Sequence, residues 1–157
     1  VVQRVLQNLL RERVSVKDGA SIVEALGEAA AMTRNPVLLT EFVRQSLRRV
    51  LVKPYLSAAN DLPAYLIDSG LEQTIEAAVE YTEHGASLQL PPQKIREIGD
   101  RVARTLGGPD SSAVLLASAG ARSFLRQITE NQFPSVSVLS HSEIPPGVRV
   151  TSLGVIQ

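Results

Sequence analysis

The chain has no cysteine, no tryptophan and a single methionine, Met32. Without cysteine it forms no disulfide and no thiolate metal centre, as suits a reducing compartment. Its aromatic residues are three tyrosines and three phenylalanines, and its formal net charge is zero. Both facts argue against nucleic acid, which needs a basic footprint and rings on which bases can stack. No apolar run reaches the roughly 18 residues that would span a bilayer, and no signal peptide is present. Any contact with a membrane is therefore expected to lie outside this sequence. What remains is ordinary globular material: 157 residues, 44% hydrophobic and 20% charged, enough for one good core or two small ones.

Charge is unevenly spread. Residues 1–57 carry nine Lys/Arg against five Asp/Glu, and residues 58–157 carry seven against eleven, so the two parts hold +4 and −4. Two ordinary solvated surfaces would account for this, and so would complementary ends that meet in a head-to-tail assembly. The chain opens inside a helical pattern at Val1-Val2 and reads as a piece of a longer protein.

The periodicity changes once along the chain. Val2, Val5, Leu6, Leu9 and Leu10 make an amphipathic helix over about residues 1–12. Ser15 with Asp18 three residues on resembles a capping box and predicts a second helix from Ser15 to about Thr33, burying Ile22, Val23, Leu26, Ala29 and Ala30. Asn35-Pro36 is the clearest helix start, an N-cap followed by proline at the first helical position. The third helix then presents Leu38, Leu39, Phe42, Val43, Leu47, Val50 and Leu51. After a linker at 56–62 the pattern alternates. Strands are predicted at 64–67, 87–90, 113–117, 136–139 and 148–156, and helices at about 70–83, from an opening at Pro91-Pro92 through Ile95, Ile98, Val102 and Leu106, and from Gly120 to near Glu130. Gly107-Gly108-Pro109-Asp110 reads as a stop and turn. The predicted class is α+β: a three-helix subdomain at 1–55, then an α/β subdomain at 63–157 with a short mixed sheet and about three helices.

Chemistry is sparse. His84 and His141 are the only histidines, and neither has a ligand partner at helical or strand spacing, so no metal site is expected. His84, before Gly85, is read as a cation at the end of the helix predicted over 70–83. His141 lies between serines in Leu139-Ser140-His141-Ser142-Glu143, but triad members converge from separate segments, and no Gly-x-Ser-x-Gly elbow exists. The junction Ala117-Ser118-Ala119-Gly120-Ala121-Arg122 lacks the spaced glycines or Gly-Lys-Ser/Thr of a nucleotide site. No cofactor is expected. Charged stripes stand out more. Arg44, Arg48, Arg49 and Lys53 are read on the solvent side of the third helix. Glu72, Glu76 and Glu80 repeat every four residues, with Glu83 beyond. Like charges at that spacing mildly destabilise a helix, so these glutamates form either a solvated face or a surface awaiting a basic partner.

Several long strings resemble one family in order. They are residues 3–18; Ile22-Val23-Glu24-Ala25-Leu26-Gly27-Glu28-Ala29-Ala30; Thr33-Arg34-Asn35-Pro36; the run from Leu39 to Leu47; Leu71-Glu72-Gln73; and the run from Val138 to Pro145. All resemble the cytoplasmic part of the export-gate proteins of type III secretion systems (the FlhA/InvA/SctV family). The ending after Leu153-Gly154-Val155-Ile156 resembles the virulence (injectisome) branch.

The resemblance implies the cytoplasmic portion of a bacterial inner-membrane protein, anchored by a part upstream of this chain. It also implies a homo-oligomeric ring of nine that receives export substrates, secretion chaperones, a gatekeeper protein and the stalk of the export ATPase, and that is no enzyme itself. The helical part corresponds to the third subdomain and the α/β part to the fourth. It further implies subunit contacts in the helical part, for which Arg4 is the first candidate and Arg44, Arg48 and Arg49 the next. Glu72, Glu76, Glu80 and Glu83 are the candidate partner-binding group. Two competing readings are a small α/β hydrolase using Ser118 or His141, and a generic adaptor.

Overall fold

The structure is a computed structural model and describes residues 1–108 and 110–157. Helices α1 (Val2–Arg11), α2 (Gly19–Ala29), α3 (Pro36–Ser46) and α4 (Arg48–Val52) open the chain, followed by a 3-10 turn at Lys53–Tyr55. Strand β1 (Asp61–Ile67), helix α5 (Ser69–Ala77), and strands β2 (Val79–Tyr81) and β3 (Ala86–Leu88) come next. Helix α6 (Pro92–Leu106), strand β4 (Val114–Ala117) and helix α7 (Arg122–Thr129) follow. Strand β5 (Ser137–Ser140), a 3-10 turn at His141–Glu143 and strand β6 (Arg149–Ile156) complete the chain. The class is α+β. The backbone forms two compact units. One is Val1–Pro54 with Glu80–Ser87 and Glu143–Pro145; the other is Tyr55–Val79, Leu88–Ser142 and Pro146–Gln157. Nothing in the strand-and-helix alternation of residues 63–157 marks 80–87 and 143–145 as belonging with the helices.

In the helical unit, Val5, Leu9, Ile22, Ala25, Leu26, Ala29, Leu39, Val43 and Leu47 form the core. The inward face of each helix is narrower than its apolar residues suggest. Val5 and Leu9 are fully buried in α1, whereas Val2 and Leu10 are exposed. In α2 the expected Val23 and Ala30 are exposed and Ala25 takes an inner place. The third helix breaks at Leu47 and restarts as α4. That break buries Leu51 and Val52 and turns Val50 outward, while Leu38 also lies on the exposed side.

The second helix starts later than predicted. Its cap is Asp18, not Ser15: Asp18 Oδ1 accepts the Ser21 N–H at 3.1 Å and Oδ2 the Ser21 hydroxyl at 2.6 Å. Ser15 only turns the chain, accepting from the Lys17 N–H at 3.3 Å. The Ser21 hydroxyl, and after it the Ser21 N–H, hold the Asp18 carboxyl below its ordinary range. A carboxyl lowered in the folded state stabilises the fold above its unfolded pKa, and that contribution is lost as pH falls through the lowered value. Asp18→Asn keeps a capping oxygen that does not titrate. The unsubstituted chain is therefore expected to lose stability relative to Asp18→Asn as pH falls below about 4, the ordinary aspartate value. Urea unfolding at a series of pH values checks this, and parallel curves would disprove it.

Helix α3 begins as predicted, with the Val37 N–H bonded to Asn35 Oδ1 at 2.9 Å and Pro36 at the start.

In the second unit four strands make one parallel sheet, ordered β5-β4-β1-β6. Strands β2 and β3 pair separately as a hairpin, so parallel and antiparallel pairing both occur, in different sheets. All four residues of β4 are buried, as suits a strand flanked on both edges and covered on both faces. Strand β1 starts at Asp61, inside the segment read as linker. Between Ala64 and Tyr65 its pairing with β6 shifts by one residue, leaving Leu153 as the bulge. Gly154 follows it because a Cβ there would stand 3.3 Å from the Tyr65 ring. Helix α6 opens at Pro92 and closes at Gly107, whose φ of 89° suits glycine alone. Pro109, in the predicted stop and turn, lies outside the described residues.

The helix expected over 70–83 ends at Ala77. Val79-Glu80-Tyr81 are β-branched and aromatic around one glutamate and extend instead into a strand. The Thr82 N–H donates to the Gly85 carbonyl at 2.9 Å and closes the hairpin. His84 is thus a turn residue with an exposed side chain, not the end of a helix.

The outer edge of β5 is occupied by side chains. The Ser137 N–H bonds the Ala113 carbonyl at the head of β4, so the backbone groups of Val136 and Val138 point away from the sheet. Arg126 Nη1 donates to the Val136 carbonyl at 2.6 Å and Arg122 Nη1 to that of Val138 at 3.1 Å. Two arginines one helical turn apart on α7 fill the places a further strand would take.

Candidate functional site

Helix α1 places Arg4 on its exposed side, where Nη1 donates to the His84 carbonyl at 2.8 Å. Buried Asn35 donates from Nδ2 to the carbonyls of Thr82 and Gly85, both at 2.7 Å. One asparagine therefore caps α3 and fastens the turn of the β2–β3 hairpin. Three turn carbonyls are satisfied by helix side chains, which holds the turn still while Glu83 and His84 point to solvent.

Arg44 is not on the solvent side of its helix. It is 2% exposed and grips Glu143, itself fully buried, in a fork: Nε to Oε2 at 2.7 Å and Nη2 to Oε1 at 3.2 Å. Glu12 Oε1 stands 3.9 Å from Arg44 Nη1. The reason is register: α3 turns Leu39, Thr40, Val43 and Arg44 to one side. Sequence alone gives no hint of this, because an arginine in a basic run is normally solvated and its partner is 99 residues away. Of the other two, Arg48 is half-buried and Arg49 exposed.

The acidic row is likewise divided. Glu72 and Glu76 lie on α5, but Glu80 sits on β2 and Glu83 in the hairpin turn, both exposed. Glu72 Oε2 accepts the Ser118 N–H at 2.9 Å, and Glu76 Oε1 accepts the Ser118 hydroxyl at 2.6 Å. The like charges one turn apart are thus balanced by two donors of one residue. Gly120 leaves room for this arrangement, since a Cβ there would lie 2.7 Å from Glu76 Oε1 and would push that carboxylate aside. The loop Ser118–Gly120 is a partner that the spacing of the glutamates could not reveal.

Ser118 and His141 follow residues paired across β4 and β5, so the fold brings the two neighbouring strand ends together. The Ser118 hydroxyl nevertheless donates its hydrogen bond to the Glu76 carboxylate and not to the imidazole a serine nucleophile uses. Among the described residues no group of three His, Asp or Glu side chains is placed to hold a metal. Among them, too, no helix is long and apolar enough to cross a membrane. The candidate residues that the structure leaves wholly or partly exposed are Arg4 beside a fastened hairpin turn, Arg48 and Arg49, and Glu80 and Glu83 on the acidic hairpin.

Comparison with known proteins gives these surfaces a setting. The model of the FHIPEP family matches residues 1–149. Low calcium response locus protein D of Yersinia pestis is 33% identical over 155 residues, covering 97% of this chain and 22% of that protein. Flagellar biosynthesis protein FlhA of Bacillus subtilis is 33% identical over 158 residues, 99% of this chain and 23% of that protein. Among solved structures, CdsV in the Chlamydia pneumoniae CdsV and CdsO complex aligns with a TM-score of 0.88 at 32% identity, covering 99% of this chain and 47% of that one. The nonameric SctV-C of EPEC aligns with a TM-score of 0.86 at 29% identity, covering 97% of this chain and 46% of that one. The chain thus spans under a quarter of the length of the Yersinia pestis and Bacillus subtilis proteins and under half of the two solved chains. On a match running almost from end to end, and on a fold shared with solved members, this chain belongs to the FHIPEP family.

Proposed function

We propose that this chain is the C-terminal portion of the cytoplasmic part of a type III secretion export gate of the injectisome branch, and that it works as a ring-forming and docking module without catalysis. The observation that carries this reading is the alignment, over 97% of the chain, with a protein solved as a nonamer. The helical unit stands as the third subdomain and the α/β unit as the fourth. In the whole protein the module receives export substrates, chaperones, the gatekeeper and the ATPase stalk. The complex of CdsV with CdsO supports a second protein as a docking partner. The anchor in the inner membrane belongs to the rest of the protein.

Within this reading Arg4, Arg48 and Arg49 face the neighbouring subunit. Arg44 acts inside its own unit and is not proposed there. Glu80 and Glu83 are the partner-binding carboxylates, exposed on a hairpin that Arg4 and Asn35 fasten. Glu72 and Glu76 act within the α/β unit, where they hold the Ser118 loop.

Charge reversal at Arg4 tests the reading. In the full-length protein Arg4→Glu is expected to abolish secretion while the melting temperature of this chain changes little, because the side chain is exposed. Arg4→Ala separates the two roles of the residue, since it loses the hydrogen bond to His84 without placing a like charge at a subunit boundary. Secretion that survives Arg4→Glu removes Arg4 from the interface. A covalent serine probe that labels Ser118 in the folded chain would replace this reading with the hydrolase one.

A further inference from the structure

We propose that the tip of the β2–β3 hairpin is a releasable carrier of Glu80 and Glu83, and that Asn35 is the positioning residue that keeps it docked. Glu80–Ser87 belongs to the same compact unit as the helices, yet none of its residues is buried. Glu80 to His84 and Ser87 are exposed, and Gly85 and Ala86 are half-buried. The apolar core of that unit, drawn from Val5 to Leu47, takes no side chain from the tip. With three residues in each strand, such a hairpin is marginal by itself. Its place therefore depends strongly on polar bonds to the helices.

Asn35 is buried, and its side chain works in two directions at once. Oδ1 accepts the Val37 N–H at 2.9 Å, while the two Nδ2 hydrogens go to the Thr82 and Gly85 carbonyls, both at 2.7 Å. Each end fixes the orientation of the amide: the first turn of α3 needs an acceptor, and the two carbonyls need donors. Turned over, the amide would set its oxygen against two carbonyls and its N–H groups against another N–H. Aspartate and serine cap a helix about as well as asparagine, and threonine nearly so, but none of them carries two donors. What asparagine adds over those caps serves the hairpin alone. The Gly85 carbonyl also accepts the Thr82 N–H that closes the turn, so the same side chain bears on the docking of the tip and on its internal bond.

Release costs the tip little. Thr82 and Gly85 are not buried, so on opening water takes over their carbonyls. Arg4, the second anchor, is exposed, and water competes directly for its 2.8 Å bond to the His84 carbonyl. Openings that uncover little apolar surface lie at the low end of the local stabilities within a protein. Docked, Glu80 and Glu83 hold a fixed place beside the start of α3; released, they lose it. The consequence for partner binding rests on the reading of these two carboxylates given above, whereas the docking itself does not.

Hydrogen exchange read amide by amide tests this. Asn35→Asp keeps the capping oxygen, removes both donors and sets a carboxylate against two carbonyls. It is expected to speed exchange at Thr82 by about tenfold or more, because two hydrogen bonds are lost. Exchange at Leu39 and Leu47, whose N–H groups bond the Asn35 and Val43 carbonyls, is expected to stay within about threefold. Asn35→Ala, which loses cap and donors together, should speed exchange at both places. Unchanged exchange at Thr82 in Asn35→Asp would overturn the proposal. So would equal acceleration at Thr82, Leu39 and Leu47, since Asn35 would then support the unit as a whole. In the full-length protein Asn35→Asp is expected to lower secretion, as is Glu80→Gln combined with Glu83→Gln. Full secretion in Asn35→Asp alongside a loss in the glutamine variant would overturn the positioning role. Full secretion in the glutamine variant, with Thr82 exchange accelerated in Asn35→Asp, would instead remove the carboxylates from partner binding and uphold the docking by Asn35.

Discussion

Arg44→Ala is expected to cost the helical unit about 3–5 kcal/mol, the usual loss when one member of a buried ion pair is removed. Arg44 is 2% exposed and Glu143 is fully buried, so the carboxylate that loses its forked partner has no route to water. The attraction between the two charges is not what the number measures. Most of it is the cost of leaving a buried polar group without the forked hydrogen bonds that replace its water. Replacing both partners by apolar residues of similar volume, Arg44→Met with Glu143→Leu, is accordingly expected to recover most of the stability. Urea unfolding of the two single variants and the double variant forms the cycle that measures it. Single variants that each lose less than about 1 kcal/mol would show the pair to be solvated like an ordinary surface bridge. Glu143 lies between β5 and β6 in sequence, yet it belongs to the compact unit of the helices. Its pairing with Arg44 supplies a physical reason for that membership.

The second large effect is expected at Arg122, the largest fully buried side chain described. Arg122→Ala leaves a cavity where a long side chain packed and withdraws the donor from the Val138 carbonyl. A cost of about 3 kcal/mol or more follows from the cavity and the lost hydrogen bond together. Arg126→Ala, at a half-buried site with one donor to the Val136 carbonyl, is expected to cost less, about 1–2 kcal/mol. The double variant should do something neither cost describes. It uncovers the outward carbonyls of Val136 and Val138, so the sheet gains an open edge at β5 and the chain aggregates at temperatures where it is still folded. Light scattering followed alongside circular dichroism checks this order of events. Scattering that begins only after the unfolding transition would show that the arginines fill space and do not guard the edge.

Much of the architecture was legible because it rests on local rules. Asn35-Pro36 marked the start of α3 since a capping oxygen and a missing N–H are properties of two adjacent residues. Pro92 and Gly107 bounded α6 for the same kind of reason. The solidly apolar Val114–Ala117 announced a strand inside a sheet. Errors arose where two local rules competed. A four-residue rhythm of glutamates suggested that α5 continued to residue 83, but the strand preference of Val79 and Tyr81 and the turn at 82–85 decided otherwise. Ser15 and Asp18 were both acceptable caps, and the nearer one to Ser21 won.

The sequence by itself determined the order and type of most elements, the α+β class and, through long strings in order, the family. Those features depend on neighbours within a few residues or on the string as a whole. Only the tertiary structure decided what each charge does. Arg44 meets Glu143 across 99 positions, Glu72 and Glu76 meet Ser118, and Asn35 meets the hairpin turn. A charged side chain is solvated unless the fold brings it a partner, and no spacing along one helix reports which distant residue that will be.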